Sequence, residues 1–193
     1  RSTLFPYTTL FRSPYSDPQG DLRRLESQAR MRGGVGAKQQ YAAELLRLGR
    51  HDEAIAMYRE VLTGLYEHDA NLMLGLAQAQ FEKGDASGAR QTLDELIQHN
   101  PDFKSPHGHL LYARSLETEG NVARALEEYR VVAHTFPGAE AAVRYAQLLI
   151  SQDRNDEAQK ELQELLDEAR IAPAHYRRAQ KEWLDTAAKL RRS

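Results

Sequence analysis

One pattern of residues recurs four times between residues 37 and 172, and this repetition restricts the fold more than any other feature. The copies read YAAELLRLGRHDEAIAMYREVL, LAQAQFEKGDASGARQTLDELI, YARSLETEGNVARALEEYRVVA and YAQLLISQDRNDEAQKELQELL, and they align without a gap. An alanine stands at the same place in every copy, at spacings of 35, 36 and 33 residues: Ala54, Ala89, Ala125 and Ala158. A period near 34 residues is typical of stacked helical hairpins.

Each copy is predicted to fold as two helices joined by a short turn. Apolar residues recur at steps of three and four, which is the spacing of one helical face. Between the two halves stand Gly49, Gly84 and Gly120 in the first three copies and Asp153 in the fourth. Glycine adopts the left-handed backbone that ends many helices, and aspartate does so at modest cost. The sequence therefore predicts an all-α fold, in which the small alanines let paired helices approach closely.

This spacing resembles the tetratricopeptide repeat family over roughly residues 37–170. The central alanine of the family pattern is kept in all four copies, and the aromatic residue after it is kept as Tyr58 and Tyr129. The tryptophan that the family carries in the first helix is replaced in every copy. The resemblance implies a right-handed superhelix of about four helical hairpins. Its repeats would lie at residues 37–68, 70–103, 106–139 and 140–172.

The segments on either side of the repeats are given three different interpretations. Residues 1–13 match, from the third residue onward, the first-frame translation of a common short-read sequencing adapter, and we interpret them as non-native adapter sequence. Residues 14–36 are expected to hold a linker and a short helix, with a hinge at the glycine-rich residues 33–36. Residues 173–193 carry an apolar stripe that includes Trp183, and they are predicted to form one capping helix.

Composition argues against several classes of ligand. The chain has 26 Lys and Arg residues against 28 Asp and Glu residues, so it lacks the basic footprint of a nucleic-acid-binding protein. It has no cysteine, which excludes disulfides and cysteine nucleophiles. The loop GGVGAKQ lacks the Gly-Lys-Ser/Thr ending and the preceding strand of a phosphate-binding loop. We therefore expect neither nucleic acid nor a nucleotide phosphate as a ligand.

The histidines and carboxylates form no recognisable catalytic or metal-binding pattern. The densest group of histidines, His99, His107 and His109, lacks the convergent spacing of a zinc site. The sequence contains no H-E-x-x-H or G-x-S-x-G element, and its acidic pairs fall at solvent-facing helical positions. The sequence therefore predicts a protein without a cofactor, a metal ion or a catalytic centre.

The family resemblance implies that the first helix of each repeat lines the inner, concave wall of the superhelix. The inward positions mix apolar, amide and charged side chains, which suits a peptide segment laid in a groove. The implied partner-binding residues are Gln39, Leu46, Leu74, Gln78, Phe81, Leu110, Arg114, Glu117, Arg144 and Gln147. The Lys and Asn pairs with which some family members clamp a peptide's terminal carboxylate are replaced, so recognition of chaperone tails is not expected.

Three hypotheses of function remain open on the sequence alone. The first is a non-catalytic scaffold that binds a protein or peptide partner in the concave groove. The second follows from residues 101–113 and the C-terminal segment, which resemble bacterial repeat proteins with an N-terminal membrane hairpin like that of cardiolipin synthases. Such a protein would be a cytoplasmic assembly or regulatory factor of the envelope, held at the inner membrane by an upstream segment. The third is an accessory domain of an enzyme whose catalytic part lies upstream.

Overall fold

The structure of the protein, a computed structural model, describes residues 17–192. Their regular secondary structure consists of α-helices and one short 3₁₀ turn, which confirms the prediction of an all-α fold. Within this part of the chain, no helix combines the length and the apolar composition needed to span a membrane. The chain divides into two compact units at the boundary between Glu67 and His68. The interpretation of residues 1–13 as adapter sequence concerns residues outside the described part.

Unit 1 contains one helical hairpin and a helix that precedes it. Its elements are α1 (Pro18–Arg32), α2 (Val35–Arg47), α3 (His51–Val61) and a 3₁₀ turn (Gly64–Tyr66). Helix α2 packs against both α1 and α3. Gly33 caps the C-terminal end of α1 with a left-handed φ of 58°, and α2 begins two residues after it. Of residues 33–36, for which the sequence predicts a hinge, only Gly33 and Gly34 lie between the two helices, because Val35 and Gly36 belong to α2.

Unit 2 contains three further hairpins followed by two C-terminal helices. Its helices are α4 (Ala70–Lys83), α5 (Ala86–His99), α6 (Pro106–Thr118), α7 (Val122–Thr135), α8 (Glu140–Ser151), α9 (Asn155–Ile171), α10 (Ala174–Ala179) and α11 (Lys181–Arg192). Each helix from α4 to α8 packs against the next one along the chain, and α4 also contacts α6. Consecutive hairpins of this unit therefore bury a continuous interior between them.

The alanines that define the repeat are buried within their hairpins. Ala54, Ala89, Ala125 and Ala158 each have 0% of their surface exposed. The alanines of the first helices are equally buried, namely Ala42, Ala77, Ala113 and Ala146. Because protein interiors are close-packed, a larger side chain at any of these positions would have to push the paired helices apart.

The four hairpin turns share one backbone geometry. Gly49, Gly84, Gly120 and Asp153 have φ values of 74°, 100°, 84° and 59°, all in the left-handed region. In each turn, the N–H group of the next residue donates a 2.9 Å hydrogen bond to the carbonyl oxygen five residues before it. These two features together form a Schellman ending, which satisfies the last carbonyl groups of the helix. Asp153 adopts the same backbone as the glycines, so the fourth hairpin closes as the others do.

The second helices of the hairpins begin in two different ways. Asp85 and Asn121 are N-caps, and their side-chain oxygens accept hydrogen bonds from the N–H group three residues later. In α3 and α9 the N-cap position is held by Arg50 and Arg154, which make no such capping bond. Each of these arginines instead donates two hydrogen bonds to the glutamate three residues later.

The C-terminal segment forms two helices rather than the single capping helix predicted. The break falls at Gln180, whose backbone leaves the helical region at φ −99° and ψ 10°. Its side-chain Oε1 accepts a 2.9 Å hydrogen bond from the N–H group of Ala139, which anchors the break to the loop before α8. Helix α11 then packs on α9 and α8, and its Ala187 is completely buried. The segment therefore covers the end of the last hairpin.

Candidate partner-binding face

The first helices of the three hairpins in unit 2 carry most of the predicted partner-binding residues. Those with accessible side chains are Leu74, Gln78 and Phe81 on α4, Arg114 and Glu117 on α6, and Arg144 and Gln147 on α8. Within each helix these residues are spaced three or four apart, so they lie on one side of it. We call these residues the α4–α6–α8 face.

Arg114 is the central charged residue of the α4–α6–α8 face. Its guanidinium carbon lies 4.6 Å from the ring centre of Phe81, within the range of a cation–π interaction. Burial lowers the pKa of Arg114, and the positive charge of Arg144 lowers it further. The guanidinium still remains charged near neutral pH, as it does throughout proteins. Among the described residues, Arg114 forms no ion pair with a carboxylate, so its N–H donors are available to a ligand.

Arg144 connects the face to the C-terminal helix. Its Nε donates a 2.9 Å hydrogen bond to Oε1 of Glu140, one turn earlier in α8. Its guanidinium carbon also lies 5.0 Å from the ring centre of Trp183 in α11. Glu140 orients Arg144 and offsets part of its charge, while Trp183 supplies an apolar surface beside it. Trp183 therefore belongs to the edge of the α4–α6–α8 face.

Glu117 is held in place by a tyrosine from the second helix of the same hairpin. Tyr129 is 0% exposed, and its hydroxyl group donates a 3.2 Å hydrogen bond to Oε2 of Glu117. Burial raises the pKa of Tyr129, and the negative charge of Glu117 raises it further. The phenol therefore stays protonated at neutral pH and continues to donate. This contact fixes a negative charge close enough to favour the charged form of Arg114.

The other predicted residues of unit 2 differ in how accessible they are. Leu110 is only 5% exposed, so in the structure it packs between helices and is not available to a partner. Leu74 is partly buried against α6, where a Cβ added to Gly108 would lie 3.3 Å from its Cδ1 atom. Gln78 donates a 2.8 Å hydrogen bond to a glutamate one turn later, and Gln147 is exposed. Of these four, Gln147 offers the freest polar group.

The two predicted residues of unit 1, Gln39 and Leu46, lie on α2 and are partly buried. Unit 1 has its own open cleft of about 470 Å³, lined by residues of α1, α2 and α3. Lys38 and Glu60 both line this cleft, and their ion pair measures 2.7 Å. These opposite charges neutralise each other. Lys38 therefore has less uncompensated positive charge to offer a ligand than Arg114 has on the α4–α6–α8 face.

The histidines singled out in the sequence are not brought together. Their neighbours are His68 for His99, Phe136 for His107, and Glu128 for His109. Across residues 17–192, no three His, Asp or Glu side chains are grouped so that they could hold a metal ion. These histidines therefore make local packing and hydrogen-bonding contacts.

Two contributors to the face are missed by reasoning from the sequence. The apolar stripe of the C-terminal segment accounts for Trp183 as a capping residue, and nothing in that stripe shows that its ring meets Arg144. Glu140 could have been identified, because it stands four residues before Arg144 on a predicted helix. Opposite charges at this spacing are neighbours on the helix surface.

Family models and solved structures agree on the repeat. Two models of the tetratricopeptide repeat match the chain, at residues 45–115 and 110–174. Together they extend over residues 45–174, which is 130 of the 193 residues. No curated protein sequence matches the chain at a significant level.

Three solved structures show the same fold at low sequence identity. MamA from Desulfovibrio magneticus RS-1, from its residue 41 to its end, is 14% identical, with a TM-score of 0.71 over 81% of this chain and 88% of that chain. TTC0263, a thermophilic TPR protein of Thermus thermophilus, is 17% identical, with a TM-score of 0.66 over 90% of each chain. YrrB, a TPR protein with an unusual peptide-binding site, is 15% identical, with a TM-score of 0.64 over 91% of this chain and 84% of that chain.

The repeat period, the left-handed turns, the buried alanines and the two matching family models therefore lead to one conclusion. This chain belongs to the tetratricopeptide repeat family.

Proposed function

We propose that this chain is a non-catalytic scaffold that binds a protein partner by holding a segment of it against the α4–α6–α8 face. Arg114 is the residue on which this proposal rests, because it is partly buried and has no carboxylate partner among the described residues. Across the described residues, no buried side-chain nitrogen or oxygen lacks a hydrogen-bond partner, so the open N–H donors of Arg114 face solvent. A charge-assisted hydrogen bond from these donors to an acceptor on a ligand is stronger than one between neutral groups. A segment bound over α6 would supply such acceptors.

The composition of the face supports a peptide rather than a small polar ligand. Phe81 and Leu74 offer apolar surface, Gln147 offers an amide, and Arg114 and Arg144 offer charge. Sites that bind with specificity combine apolar area with a few well-placed polar groups. Repeat arrays of this kind present extended surfaces suited to long ligands. The peptide-binding site named for YrrB, a protein of the same fold, supports this proposal.

Selection from a phage-displayed library of random 12-residue peptides would test this function. The purified chain is immobilised, and the enriched peptides are then measured against a double variant, Phe81→Glu with Arg114→Glu. A matched double variant, Ile97→Glu with Arg154→Glu, makes the same changes of charge at exposed residues away from the face. Far-UV circular dichroism of all three proteins verifies that each remains folded.

We expect the enriched peptides to bind the unaltered chain and the matched variant, and to lose binding to the face variant. The cause would be the loss of an aromatic contact together with repulsion from two new negative charges. Equal binding to both variants would overturn the assignment of the face. Failure to enrich any peptide would count against peptide binding altogether.

A further inference from the structure

Four side chains of unit 2, two aromatic rings and two guanidinium groups, form two ring–guanidinium pairs. Phe81 contacts Arg114 at 4.6 Å, and Arg144 contacts Trp183 at 5.0 Å, each distance running from guanidinium carbon to ring centre. The two pairs are linked, because the charge of Arg144 acts on Arg114. We call these four residues the Arg–aromatic row. They come from α4, α6, α8 and α11, so each hairpin of unit 2 and the C-terminal segment contribute one residue.

The positive charge in this row is only partly compensated. Arg144 donates its Nε hydrogen bond to Glu140, and it makes no other hydrogen bond to a described residue. Arg114 makes none to any described residue. Glu117 lies close enough to affect Arg114, but its carboxylate accepts from Tyr129. Two neighbouring guanidinium groups with open donors form a favourable position for an added carboxylate.

We propose that the Arg–aromatic row recognises an internal acidic side chain, Asp or Glu, flanked by apolar side chains on the partner segment. This inference rests on the proposed function, since it names the residue chemistry that the α4–α6–α8 face selects. The carboxylate would accept hydrogen bonds from Arg114 and Arg144. The flanking apolar side chains would contact Phe81 on one side and Trp183 on the other.

The order of the row explains why the acidic residue is internal rather than the chain terminus. The two arginines stand between the two rings in the order of the helices that carry them. A segment that contacts both rings must therefore continue on both sides of the carboxylate. A terminal carboxylate could reach the arginines, but it would leave one of the rings uncovered. Covering both rings also removes more apolar surface from water.

A polyanionic strand of nucleic acid is the rival ligand, because arginines and aromatic rings also bind phosphates and bases. The surroundings of the row favour the peptide. Glu117 and Glu140 lie beside the two arginines, and the whole chain carries 28 acidic against 26 basic residues. Such a balance provides none of the excess positive charge that a backbone with a charge on every nucleotide requires, while a single carboxylate needs only the donors of the two arginines.

Trp183 provides the readout, since it is the sole tryptophan of the chain and a member of the row. The leading peptide from the phage selection is synthesised with an acetylated N-terminus and an amidated C-terminus, so that only side chains carry charge. In a series of further peptides, each Asp or Glu residue of the leading peptide is replaced, one at a time, by Asn or Gln. Binding is followed by the change in Trp183 fluorescence and by calorimetry. A fluorescein-labelled strand of ten thymidines is titrated in parallel.

We expect the amidated acidic peptide to bind, and one of its amide replacements to bind about ten- to hundredfold more weakly. Arg144→Gln in the protein should lower the affinity for the acidic peptide by a similar factor. It should hardly change the affinity for the weakened amide peptide. Arg154→Gln removes the same charge outside the row and should leave both affinities unchanged. These results together would support the proposed subsite.

Other outcomes separate this inference from the proposed function. If peptides bind the face but the amide replacements bind equally well, the acidic preference is wrong and the scaffold function stands. If the acidic peptide binds only with a free C-terminus, the subsite reads a chain end instead. If the thymidine strand binds more tightly than every peptide, and Arg144→Gln abolishes its binding, the proposed peptide ligand is wrong. If neither Arg144→Gln nor the face variant changes the affinity for the peptides, both proposals fail.

Discussion

Arg144 in the first helix of the last hairpin and Trp183 in α11 lie 39 residues apart in the sequence, yet the guanidinium carbon of Arg144 is 5.0 Å from the Trp183 ring centre. The C-terminal helix therefore does more than cover the last hairpin. It also places an aromatic ring at the edge of the α4–α6–α8 face, beside the positive charge that we assign to partner recognition.

The contact between Arg144 and Trp183 should be measurable as a coupling energy. A double-mutant cycle with Arg144→Gln and Trp183→Leu isolates this pair from the bond between Arg144 and Glu140. We expect the coupling to be about 0.5–1 kcal/mol, as for a partly exposed cation–π pair. Urea denaturation of the four proteins gives the value. Additive effects within about 0.3 kcal/mol would show that the two side chains do not interact.

Enlarging a repeat alanine should destabilise the fold. Ala125→Leu inserts three carbon atoms at a position that is 0% exposed, and overpacking of this kind costs about 1–3 kcal/mol. Ala123→Leu makes the same change at an exposed position of the same helix, and it should shift stability by less than about 0.5 kcal/mol. Urea denaturation midpoints of both variants provide the comparison. Similar midpoints would mean that Ala125 is not a close helix contact.

The left-handed turns should respond to substitution according to residue type. Gly120 has a φ of 84°, and no atom lies within 4 Å of an added Cβ, so Gly120→Ala introduces backbone strain without a clash. We expect it to cost about 1–2 kcal/mol in the free energy of unfolding. Asp153→Gly relieves strain but gives the unfolded chain more freedom, so it should stay within about 1 kcal/mol of neutral. A Gly120→Ala protein as stable as the unaltered chain would contradict the turn geometry.

Gly138 and Gln180 should behave as one interacting pair. A Cβ on residue 138 would lie 2.6 Å from Oε1 of Gln180, the atom that accepts the hydrogen bond from Ala139. Gly138→Ala should therefore displace that side chain and cost about 1 kcal/mol, as should Gln180→Ala. The double variant should cost little more than either single variant, because both remove the same hydrogen bond. Thermal denaturation by circular dichroism measures all three, and a double variant with the summed cost would contradict the shared contact.

Glu161 on α9 should make stability depend on pH. Burial raises the pKa of Glu161, and the nearby His134, at 3.6 Å, only partly opposes this effect. A carboxyl group with a raised pKa in the folded state contributes stability below its unfolded pKa, and that contribution is lost as the pH rises through its folded pKa. Glu161→Gln should therefore become more stable relative to the unaltered chain as the pH is raised from about 4 to about 8.

Urea denaturation across that pH range tests the role of Glu161. Glu168→Gln, at an exposed position of the same helix, serves as the comparison and should show a much smaller change with pH. The difference in free energy of unfolding between Glu161→Gln and the unaltered chain could instead stay constant with pH. That result would show that burial of this carboxylate does not affect stability.

The features that could be predicted from the sequence are those that repeat locally. The turn at Gly84 could be predicted because a glycine recurs at the same place in three copies, and glycine adopts a left-handed φ without steric cost. The burial of Ala89 is visible for the same reason, since four aligned alanines imply one shared contact. The helical period and the hairpin order needed nothing beyond these short-range signals.

The features that could not be predicted depend on contacts between distant residues. The cation–π contact of Arg144 with Trp183 occurs once, and so does the hydrogen bond from Ala139 to Gln180. No repeated pattern in the sequence could therefore predict either contact. The burial of Leu110 depends on how neighbouring hairpins pack, because its position in the family pattern does not separate a wall residue from a packing residue. Choosing which residues of the α4–α6–α8 face to assign to partner binding therefore required the structure.

The most direct test of binding at the α4–α6–α8 face is an amide chemical-shift titration of the ¹⁵N-labelled chain with the leading selected peptide. We expect the largest shifts in α4, α6, α8 and α11, around Phe81, Arg114, Arg144 and Trp183. Shifts confined to the second helices α5, α7 and α9 would contradict this expectation, because the peptide would then occupy a different surface.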